Sequence, residues 1–209
     1  MIIAVDGPAA SGKGTIARAL AHRYKLPHLD TGLLYRAVAV TVLRNELDPT
    51  IEADAVASCS FDDMLLGDPE LRTDAVGQIA SIVSAHPLVR AALLQRQRRF
   101  ARQPGGAVLD GRDIGTVIAP EAEVKLFVKA TPTIRARRRH AELQAHGGTQ
   151  SFDRVLADIR ARDLRDAQRA AAPLVQAPDA LLLDTSFLSI DSAVQKAVDL
   201  VEAKRQGAA

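Results

Sequence analysis

Nine residues near the start of the sequence, Gly7–Thr15, combine glycines, small residues and one lysine in the order GPAASGKGT. Backbone N–H groups in such a turn can surround a phosphate, and the lysine ammonium can bridge two phosphate groups. An apolar run precedes the turn and apolar residues at helical spacing follow it, which is the strand, loop and helix context of a phosphate-binding loop. We predict that this loop binds nucleotide phosphates through Gly7, Pro8, Ala9, Ala10, Ser11, Gly12, Lys13, Gly14 and Thr15, with Lys13 also catalytic.

Gly14 occupies the position at which phosphate-binding loops usually carry the serine or threonine that ligates magnesium. A Mg2+ ion that arrives with a nucleotide must therefore be held mainly by phosphate oxygens and water. Asp110 follows the apolar segment AVL, and a carboxylate after a buried strand is the second usual magnesium contact. We predict that Asp110 contacts the metal, directly or through water, while Thr15 supports the phosphates.

Five short apolar segments alternate along the chain with patterns of helical spacing: MIIAVD, PHLD, GGAVLD, EVKLFVKA and ALLLD. This alternation predicts an α/β fold, a doubly wound parallel sheet of about five strands with helices on both faces. Because the carboxyl ends of parallel strands share one edge of the sheet, we expect Asp6, Asp30, Asp110 and Asp184 near the ligand crevice. For Asp30 and Asp184 the alternative is that each caps the next turn or helix.

Three further stretches place polar side chains where the crevice would need them for a second ligand. LDTGLLYR follows the second strand and LDGRDIGTVIAP follows the third. RARDLRDAQRAAAPL spaces arginines and an aspartate at i, i+4 and i+7, so they share one face if the segment is helical. The side chains that these stretches supply are Thr31, Tyr35, Arg36, Arg112, Asp113, Arg162, Asp166 and Arg169.

The phosphate loop and these three stretches, in this order, resemble the bacterial cytidylate kinases, and the resemblance runs from residue 2 to about residue 200. The motifs DTG..YR, DGRD.GTV and RD..RD..RA.APL are far more specific than the phosphate loop. The resemblance implies that ATP, with Mg2+, donates its γ-phosphoryl group to CMP or dCMP. The products would be ADP and CDP or dCDP, in pyrimidine nucleotide metabolism.

The resemblance implies that Arg112 and Asp113, together with Ser81, read the edge of the cytosine. The chemistry is reasonable, because cytosine presents an amino donor and two acceptors that a carboxylate and an arginine can complement. Uracil would instead face Asp113 as acceptor against acceptor, which disfavours it by about 1 to 3 kcal/mol. The alternative for Arg112 and Asp113 is a local salt bridge within the turn.

The resemblance assigns the phosphates and the sugar to further residues of the acceptor-binding set, and makes two arginines catalytic along with the lysine of the loop. Taken singly, some of these arginines could instead lie on solvated helix faces. The assignments are Arg36 and Arg90 to the acceptor phosphate, Asp166 with the catalytic Arg162 to the sugar, the catalytic Arg169 to the transferring phosphate, and Thr31 and Tyr35 to the rest of the acceptor site.

The resemblance also implies one nucleoside monophosphate kinase domain over residues 1–209, built from a core, an acceptor-binding insertion and a mobile lid. The lid is rich in arginine, and we predict that Arg135 and Arg139 lie on its donor-nucleotide side, whereas Arg137 and Arg138 are solvated or paired with Glu142. Members of the family commonly carry a longer acceptor insert with a small antiparallel sheet, and DDMLLGDPELRT is short. The predicted bounds are core 1–34, 105–131 and 170–209, acceptor insertion roughly 35–104, and lid roughly 132–169.

The composition indicates the compartment in which the protein works and the kinds of partner it binds. A hydrophobic fraction of 47% in 209 residues is that of an ordinary globular protein. The single cysteine, Cys59, favours a reducing compartment, and the sequence has neither a secretory signal nor an apolar run of about 20 residues, so we expect a cytoplasmic protein without a membrane partner. A net charge of +2 and 3% aromatic residues argue against a stable nucleic-acid partner, and we expect a monomer that binds small nucleotides.

Two alternatives remain open at this point. The first is a nucleoside monophosphate kinase with another acceptor, such as UMP or AMP, which the DGRD loop argues against. The second is a protein of a different class that binds nucleotide or RNA through the loop without phosphorylating a small acceptor. The first is tested by measuring which nucleoside monophosphates accept a phosphoryl group, and the second by measuring how RNA binding depends on salt.

Overall fold

The computed structural model describes residues 1–145 and 147–207, and their five strands form one parallel sheet in the order β2-β3-β1-β4-β5. Helices cover both faces of the sheet, so the predicted doubly wound α/β fold is confirmed. The strands are β1 Ile2–Asp6, β2 His28–Asp30, β3 Ala107–Gly111, β4 Val124–Lys129 and β5 Leu181–Asp184.

Eight α-helices lie in the described residues, with short helical turns between some of them. The two 3-10 turns are Asp63–Gly67 and Pro69–Arg72, and one π turn spans Ile114–Ile118. The helices are α1 Lys13–Tyr24, α2 Thr31–Arg44, α3 Glu52–Ala57, α4 Asp74–Val83, α5 Pro87–Ala101, α6 Pro132–Ala145, α7 Phe152–Gln168 and α8 Ile190–Arg205.

The strands are apolar on both faces because helices cover both sides of the sheet. Alternate residues of β1 therefore pack on opposite faces of the sheet. Ile3 and Val5 pack into the core shared with α1 and α8, whereas Ala4 packs with Leu109 and the π turn on the opposite face. The central strand is therefore fully enclosed, and its carboxyl end at Asp6 feeds directly into the phosphate loop.

The helices α2 to α5 carry a separate apolar cluster that includes Leu34, Val38, Leu71 and Val89. Residues 45–104, all of which are described, contain only helices and turns, so the short DDMLLGDPELRT segment forms 3-10 turns and no strand. A smaller cluster of Ala136, Val155 and Ile159 joins α6 to α7. No single helix in residues 1–145 and 147–207 is long and apolar enough to cross a membrane; only α4 and α5 together pass that test, with a 103° bend between them.

Two of the four aspartates that end strands cap the following turn or helix, and for Asp30 this does not exclude a place in the crevice. Asp30 accepts the N–H of Gly32 at 2.9 Å and caps α2, and Asp184 accepts the N–H of Ser186 at 2.9 Å. The helix predicted to carry the i, i+4, i+7 set ends at Gln168, so Arg169 lies one residue beyond α7 with extended backbone angles. Its guanidinium still returns to within 3.7 Å of the Asp166 carboxylate.

Candidate active site

The phosphate loop is shaped by backbone conformation. Gly12 has φ 92°, and a Cβ on Gly7 would lie 2.0 Å from the carbonyl oxygen of Val128, so neither position accepts an ordinary side chain. The helix α1 begins at Lys13, and no side chain of the described residues caps it. The N–H of Thr15 already donates to the carbonyl of Gly12 at 3.1 Å, so the N–H groups that precede it are the ones available to a ligand, and the positive end of the helix dipole favours an anion there.

Lys13 lies among carboxylates at the carboxyl end of the sheet. Burial, with the nearby Arg112 guanidinium, lowers the pKa of Lys13 to about 8, against the attraction of Asp110 and Asp30. Burial and the neighbouring Asp110 charge raise the pKa of Asp30 above its usual range. Lys13 and Asp30 line the open cleft, and Asp110 lies behind them with 1% of its surface exposed.

Asp110 is held from two sides. Its Oδ2 lies 2.8 Å from Nε2 of His28, and its backbone carbonyl accepts the hydroxyl of Thr31 at 2.9 Å. A Cβ built on Gly14 would lie 3.7 Å from Oδ1 of Asp110, so the glycine leaves the space between loop and carboxylate open.

Asp110 lies close enough to Asp30 for its negative charge to raise the pKa of Asp30. Two neighbouring carboxylates suit Mg2+, because the ion prefers oxygen ligands. No group of three or more His, Cys, Asp and Glu side chains in residues 1–145 and 147–207 is placed to hold a metal ion by itself. A metal would therefore need ligands from the nucleotide, and Asp110 is the carboxylate nearest to Gly14 of the loop.

The opposite wall of the cleft is built on a buried ion pair. Nη2 of Arg90 donates to Oδ2 of Asp113 at 2.5 Å, and both residues are at most 8% exposed. Arg90 also donates to the carbonyl of Ser84 at 3.1 Å and stacks over the ring of Tyr35, 5.3 Å from the centroid. Three elements thus fix the position of one guanidinium.

A second ion pair joins the loop after β3 to α7. Nε of Arg112 donates to Oδ2 of Asp166 at 2.8 Å, and Arg169 approaches the other oxygen of Asp166. Burial and the repulsion of Arg112 lower the pKa of Arg162 to about 10. Nε of Arg162 and Nε of Arg169 are both buried without a partner, so the cluster carries excess positive charge and spare donors that an anionic ligand would use.

Arg36 approaches the same space from α2. Its Nη1 donates to the carbonyls of Leu71 at 2.6 Å and Thr73 at 3.0 Å. A Cβ on Gly77 would lie 2.8 Å from Nη2 of Arg36, so the glycine in α4 makes room for the guanidinium. Burial, and then the nearby charge of Arg139, lower the pKa of Arg36.

Comparison with known proteins agrees with this geometry. A family model described as cytidylate kinase matches residues 3–203. A cytidylate kinase of Xanthobacter autotrophicus is 60% identical over 209 residues, covering 99% of this chain and 100% of its own. One from Rhodopseudomonas palustris strain TIE-1 is 56% identical over 208 residues (99% and 98% covered), and one from Cereibacter sphaeroides is 58% identical over 204 residues (97% and 96% covered).

The chain belongs to the cytidylate kinase family. The resemblance read from the motifs is thereby confirmed, and with it the prediction of a kinase that uses a nucleotide as phosphoryl donor. The alignment with the Xanthobacter relative covers that whole protein in 209 residues, so this relative carries no net longer acceptor insert. A crystal structure of an uncharacterized protein from Eubacterium ventriosum shares the fold, with TM-score 0.56, 13% identity and 97% and 99% of the two chains covered.

In this member of the cytidylate kinase family, most of the predicted site residues line one cleft. The lining members are Ala9, Ala10, Lys13, Thr31, Tyr35, Arg36, Arg90, Arg112, Asp113, Arg139, Arg162, Asp166 and Arg169. The predicted residues outside that lining are Gly7, Pro8, Ser11, Gly12, Gly14, Thr15, Ser81, Asp110 and Arg135.

Two of the residues outside the lining are held by neighbouring side chains. Ser81 is 3% exposed, and its hydroxyl accepts Nε of Arg165 at 3.3 Å. Arg135, also 3% exposed, makes a bidentate pair with Asp163 of α7 at 2.9 and 2.6 Å and donates to the carbonyl of Ala9 at 3.2 Å. Arg135 therefore ties the base of α6 to α7 and to the phosphate loop.

Sequence reasoning missed Arg138 and the role of His28. Arg138 was predicted to be solvated or paired with Glu142, and this was wrong: it donates to the carbonyls of Ser11 and Thr185 at 3.3 and 2.6 Å, whereas Arg139 pairs with Glu142. Adjacent arginines in a run look alike in sequence, and only the packing of α6 shows which one faces the loop. His28 contacts Asp110 of the neighbouring strand. The available signal was that His28 lies two residues before Asp30, on the same face of a predicted strand that ends at the crevice.

Proposed function

We propose that this protein is an ATP-dependent CMP and dCMP kinase that transfers the γ-phosphoryl group of ATP to the acceptor phosphate, giving ADP and CDP or dCDP. The observation that carries the proposal is the buried Arg90–Asp113 pair, which lines the same cleft as Lys13. A phosphate-binding loop and a wall able to complement a cytosine edge thus face the same cleft.

On the donor side, the phosphate loop supplies N–H groups from the start of α1, and Lys13 supplies the charge between donor phosphates. We assign the residues Gly7–Thr15 to this role. Arg135 and Arg139 were predicted on the donor side of the lid. The pairing of Arg135 with Asp163 makes it a support of the loop, and Arg139 lines the cleft where it can reach a phosphate.

On the acceptor side, we assign Asp113 to the amino group of cytosine. The structure pairs Asp113 with Arg90, and Arg112 with Asp166, so the guanidinium beside the base-reading carboxylate is that of Arg90. Arg90 then complements the acceptor atoms of the ring, in the way expected earlier for Arg112. Ser81, which is buried and accepts a hydrogen bond from Arg165, is assigned with this pair to the side of the pocket that reads the base.

The remaining arginines are assigned to phosphates and sugar. Arg36 is assigned to the acceptor phosphate, together with Arg112 in place of the expected Arg90, because Arg90 pairs with Asp113. Arg162 and Arg169, with unpartnered Nε donors, neutralise the transferring group. The lowered pKa of Arg162 supports this role, because an anion would relieve the repulsion from Arg112. Asp166 with Arg162 reaches the sugar, and Thr31 and Tyr35 complete the acceptor site.

Asp110 is the residue we assign to Mg2+, directly or through water. When bound, the ion would neutralise charge on the donor phosphates and hold them in place. The fit rests on the buried carboxylate, the Gly14 gap in front of it and the hydrogen bond to His28 that orients it.

We propose the division of the chain into a core of residues 1–34, 105–131 and 170–209, an acceptor-binding insertion of roughly 35–104 and a lid of roughly 132–169. The separate apolar clusters of α2 to α5 and of α6 with α7 support it. Closure of the lid excludes water, which would otherwise compete with CMP as phosphoryl acceptor.

We also propose that the protein acts as a cytoplasmic monomer on free nucleotides, without a stable nucleic-acid or membrane partner. The free thiol of Cys59 and the near-neutral charge support this setting. Several arginines of the basic segment 96–102 are engaged within the chain, for example Arg102 with Glu121 at 2.7 Å.

The test is a coupled assay of ADP formation from magnesium ATP against CMP, dCMP, UMP, AMP and GMP. We expect strong stimulation by CMP and dCMP and weak stimulation by UMP, because Asp113 rejects the uracil carbonyl. Stimulation by another base would keep the kinase and overturn the base assignment. Weak ATP turnover that no monophosphate stimulates, with salt-sensitive RNA binding, would overturn the kinase itself.

A further inference from the structure

Asp6 is the last residue of β1 and directly precedes the phosphate loop, yet its carboxylate turns toward the acceptor side. Oδ1 accepts the N–H of Ile114 at 2.9 Å and Oδ2 accepts the N–H of Gly115 at 2.8 Å. Asp6 is 5% exposed, so both bonds are shielded from water. One buried carboxylate thus holds two consecutive amides that lie more than a hundred positions away in sequence.

These two amides begin the π turn Ile114–Ile118, which has no side-chain cap from Asp113. Asp6 supplies the acceptors that the turn would otherwise lack. A Cβ built on Gly115 would lie 3.1 Å from Cδ of Lys125 and 3.5 Å from Oδ2 of Asp6. The glycine therefore leaves room for the aliphatic part of Lys125, which comes from β4, beside the turn.

Asp6 also holds the other end of the same segment. In the ladder between β1 and β3, Asp6 is the partner of Gly111. Arg112 and Asp113 therefore lie between two attachment points on one residue, the backbone ladder at Gly111 and the carboxylate bonds at Ile114. Both side chains project from this short span into the cleft.

Keeping a carboxylate at this position is costly for the fold. Burial raises the pKa of Asp6 to about 7, although the bonds from Gly115 and Ile114 lower it. A position that served only packing would be filled more favourably by an apolar side chain.

We propose that Asp6 is a positioning residue that sets the location of Asp113 and Arg112 relative to the phosphate loop, and so contributes to the selectivity for cytosine. The inference rests on the proposed CMP kinase function. It places a residue of the donor strand in control of acceptor recognition, without contact between Asp6 and either nucleotide.

The experiment is the substitution Asp6→Asn, which replaces one carboxylate oxygen with an NH2 group. The size of the side chain is preserved, but an N–H donor now faces the N–H of Ile114 or Gly115. We expect the KM for CMP to rise about tenfold and the CMP over UMP preference to fall by a similar factor, since a lost charged hydrogen bond shifts equilibria by about this much. The KM for ATP should stay within about twofold.

The matched control is Asp184→Asn, because Asp184 also ends a strand and accepts a backbone N–H, from Ser186, while remaining outside the residues that line the cleft. It should leave both KM values and the base preference unchanged. The 15N NMR signals of Ile114 and Gly115 provide a readout that needs no activity, and they should move in Asp6→Asn and not in the control.

A folded Asp6→Asn protein with shifted amide signals but unchanged CMP KM and base preference would overturn the proposal and leave Asp6 purely structural. A loss of kcat or thermal stability alone would have the same meaning. If Asp6→Asn does not fold, Asp6→Ala carries the test, since it removes both acceptors of the Ile114 and Gly115 amides without introducing a donor. An unchanged CMP KM in that folded variant would overturn the proposal. Failure of the wild type to use CMP would instead refute the proposed function, while the KM of whichever acceptor it uses would still test Asp6.

Discussion

The two walls of the cleft are built in opposite ways. The phosphate loop is nine consecutive residues whose shape depends on backbone conformation, with Gly12 in a left-handed conformation and α1 starting at Lys13. The acceptor wall joins side chains from distant elements, with Arg90 on α5, Asp113 after β3 and Asp166 on α7, in buried ion pairs.

Because of this difference, substitutions in the two walls should affect catalysis and stability to different extents. Removing a side chain from the loop takes away a charge that acts on the ligand and leaves the backbone cradle in place. Removing one member of a buried ion pair leaves the other charge unpaired, which costs about 3 to 5 kcal/mol. We therefore expect loop variants to lose rate and acceptor-wall variants to lose selectivity and stability together.

The largest expected effect is that of Lys13→Ala. The turnover number should fall by about 10²–10³-fold, because a preorganised charge on the phosphates is lost. The melting temperature should not fall, since burial already disfavours the Lys13 charge. Steady-state kinetics and thermal unfolding measure the two effects. Lys129→Ala, which removes a half-exposed lysine, is the control and should behave as wild type; near-normal turnover in Lys13→Ala would contradict the assignment.

The acceptor wall is tested by Asp113→Ala. The ratio of kcat/KM for CMP to that for UMP should fall about 10- to 100-fold, as expected for the loss of one polar contact to the base. The protein should also unfold at lower temperature, because Arg90 remains buried without its partner. Adding Arg90→Ala to Asp113→Ala should restore part of the stability and none of the selectivity. An unchanged base preference would remove Asp113 from base recognition.

The smallest expected effect concerns pH and the donor wall. The pKa of Lys13 in the nucleotide-free protein is lowered to about 8, so its positive charge is mostly present at pH 7 and mostly lost at pH 9. ATP affinity, measured by calorimetry, should therefore fall about tenfold over this range. In Lys13→Met the affinity should be weaker at pH 7 and should lack this step. The same step in the variant would assign the titration to another group.

Much of the site could be predicted because its signals are local. The loop, the DGRD turn and the arginines of α7 are short motifs whose residues lie close together in the sequence. The pairings could not be predicted. Arg112 is adjacent to Asp113 in sequence but bonds to Asp166, because the two neighbouring side chains leave the turn in different directions.

The four strand-ending aspartates show the same limit. Their expected gathering at the crevice is confirmed for Asp30, which lines the cleft, and Asp110 lies directly behind it. Asp184 bonds to Ser186 beyond its own strand, and Asp6 turns to the π turn after Asp113. All four share one edge of the sheet, as the parallel topology requires, but the rotamer and the local donors decide where each carboxylate points.

By itself, the sequence determined the alternation of strands and helices, the phosphate loop at residues 7–15 and the family. Apolar periodicity and short motifs depend on neighbours in the chain, so they can be recognised without the fold. Only the tertiary structure decided that Arg90 pairs with Asp113, that Arg138 rather than Arg137 meets the loop, and that Asp6 holds the acceptor turn. Those contacts join residues that are far apart in sequence. Their geometry depends on how the helices pack against the sheet, which local patterns do not encode.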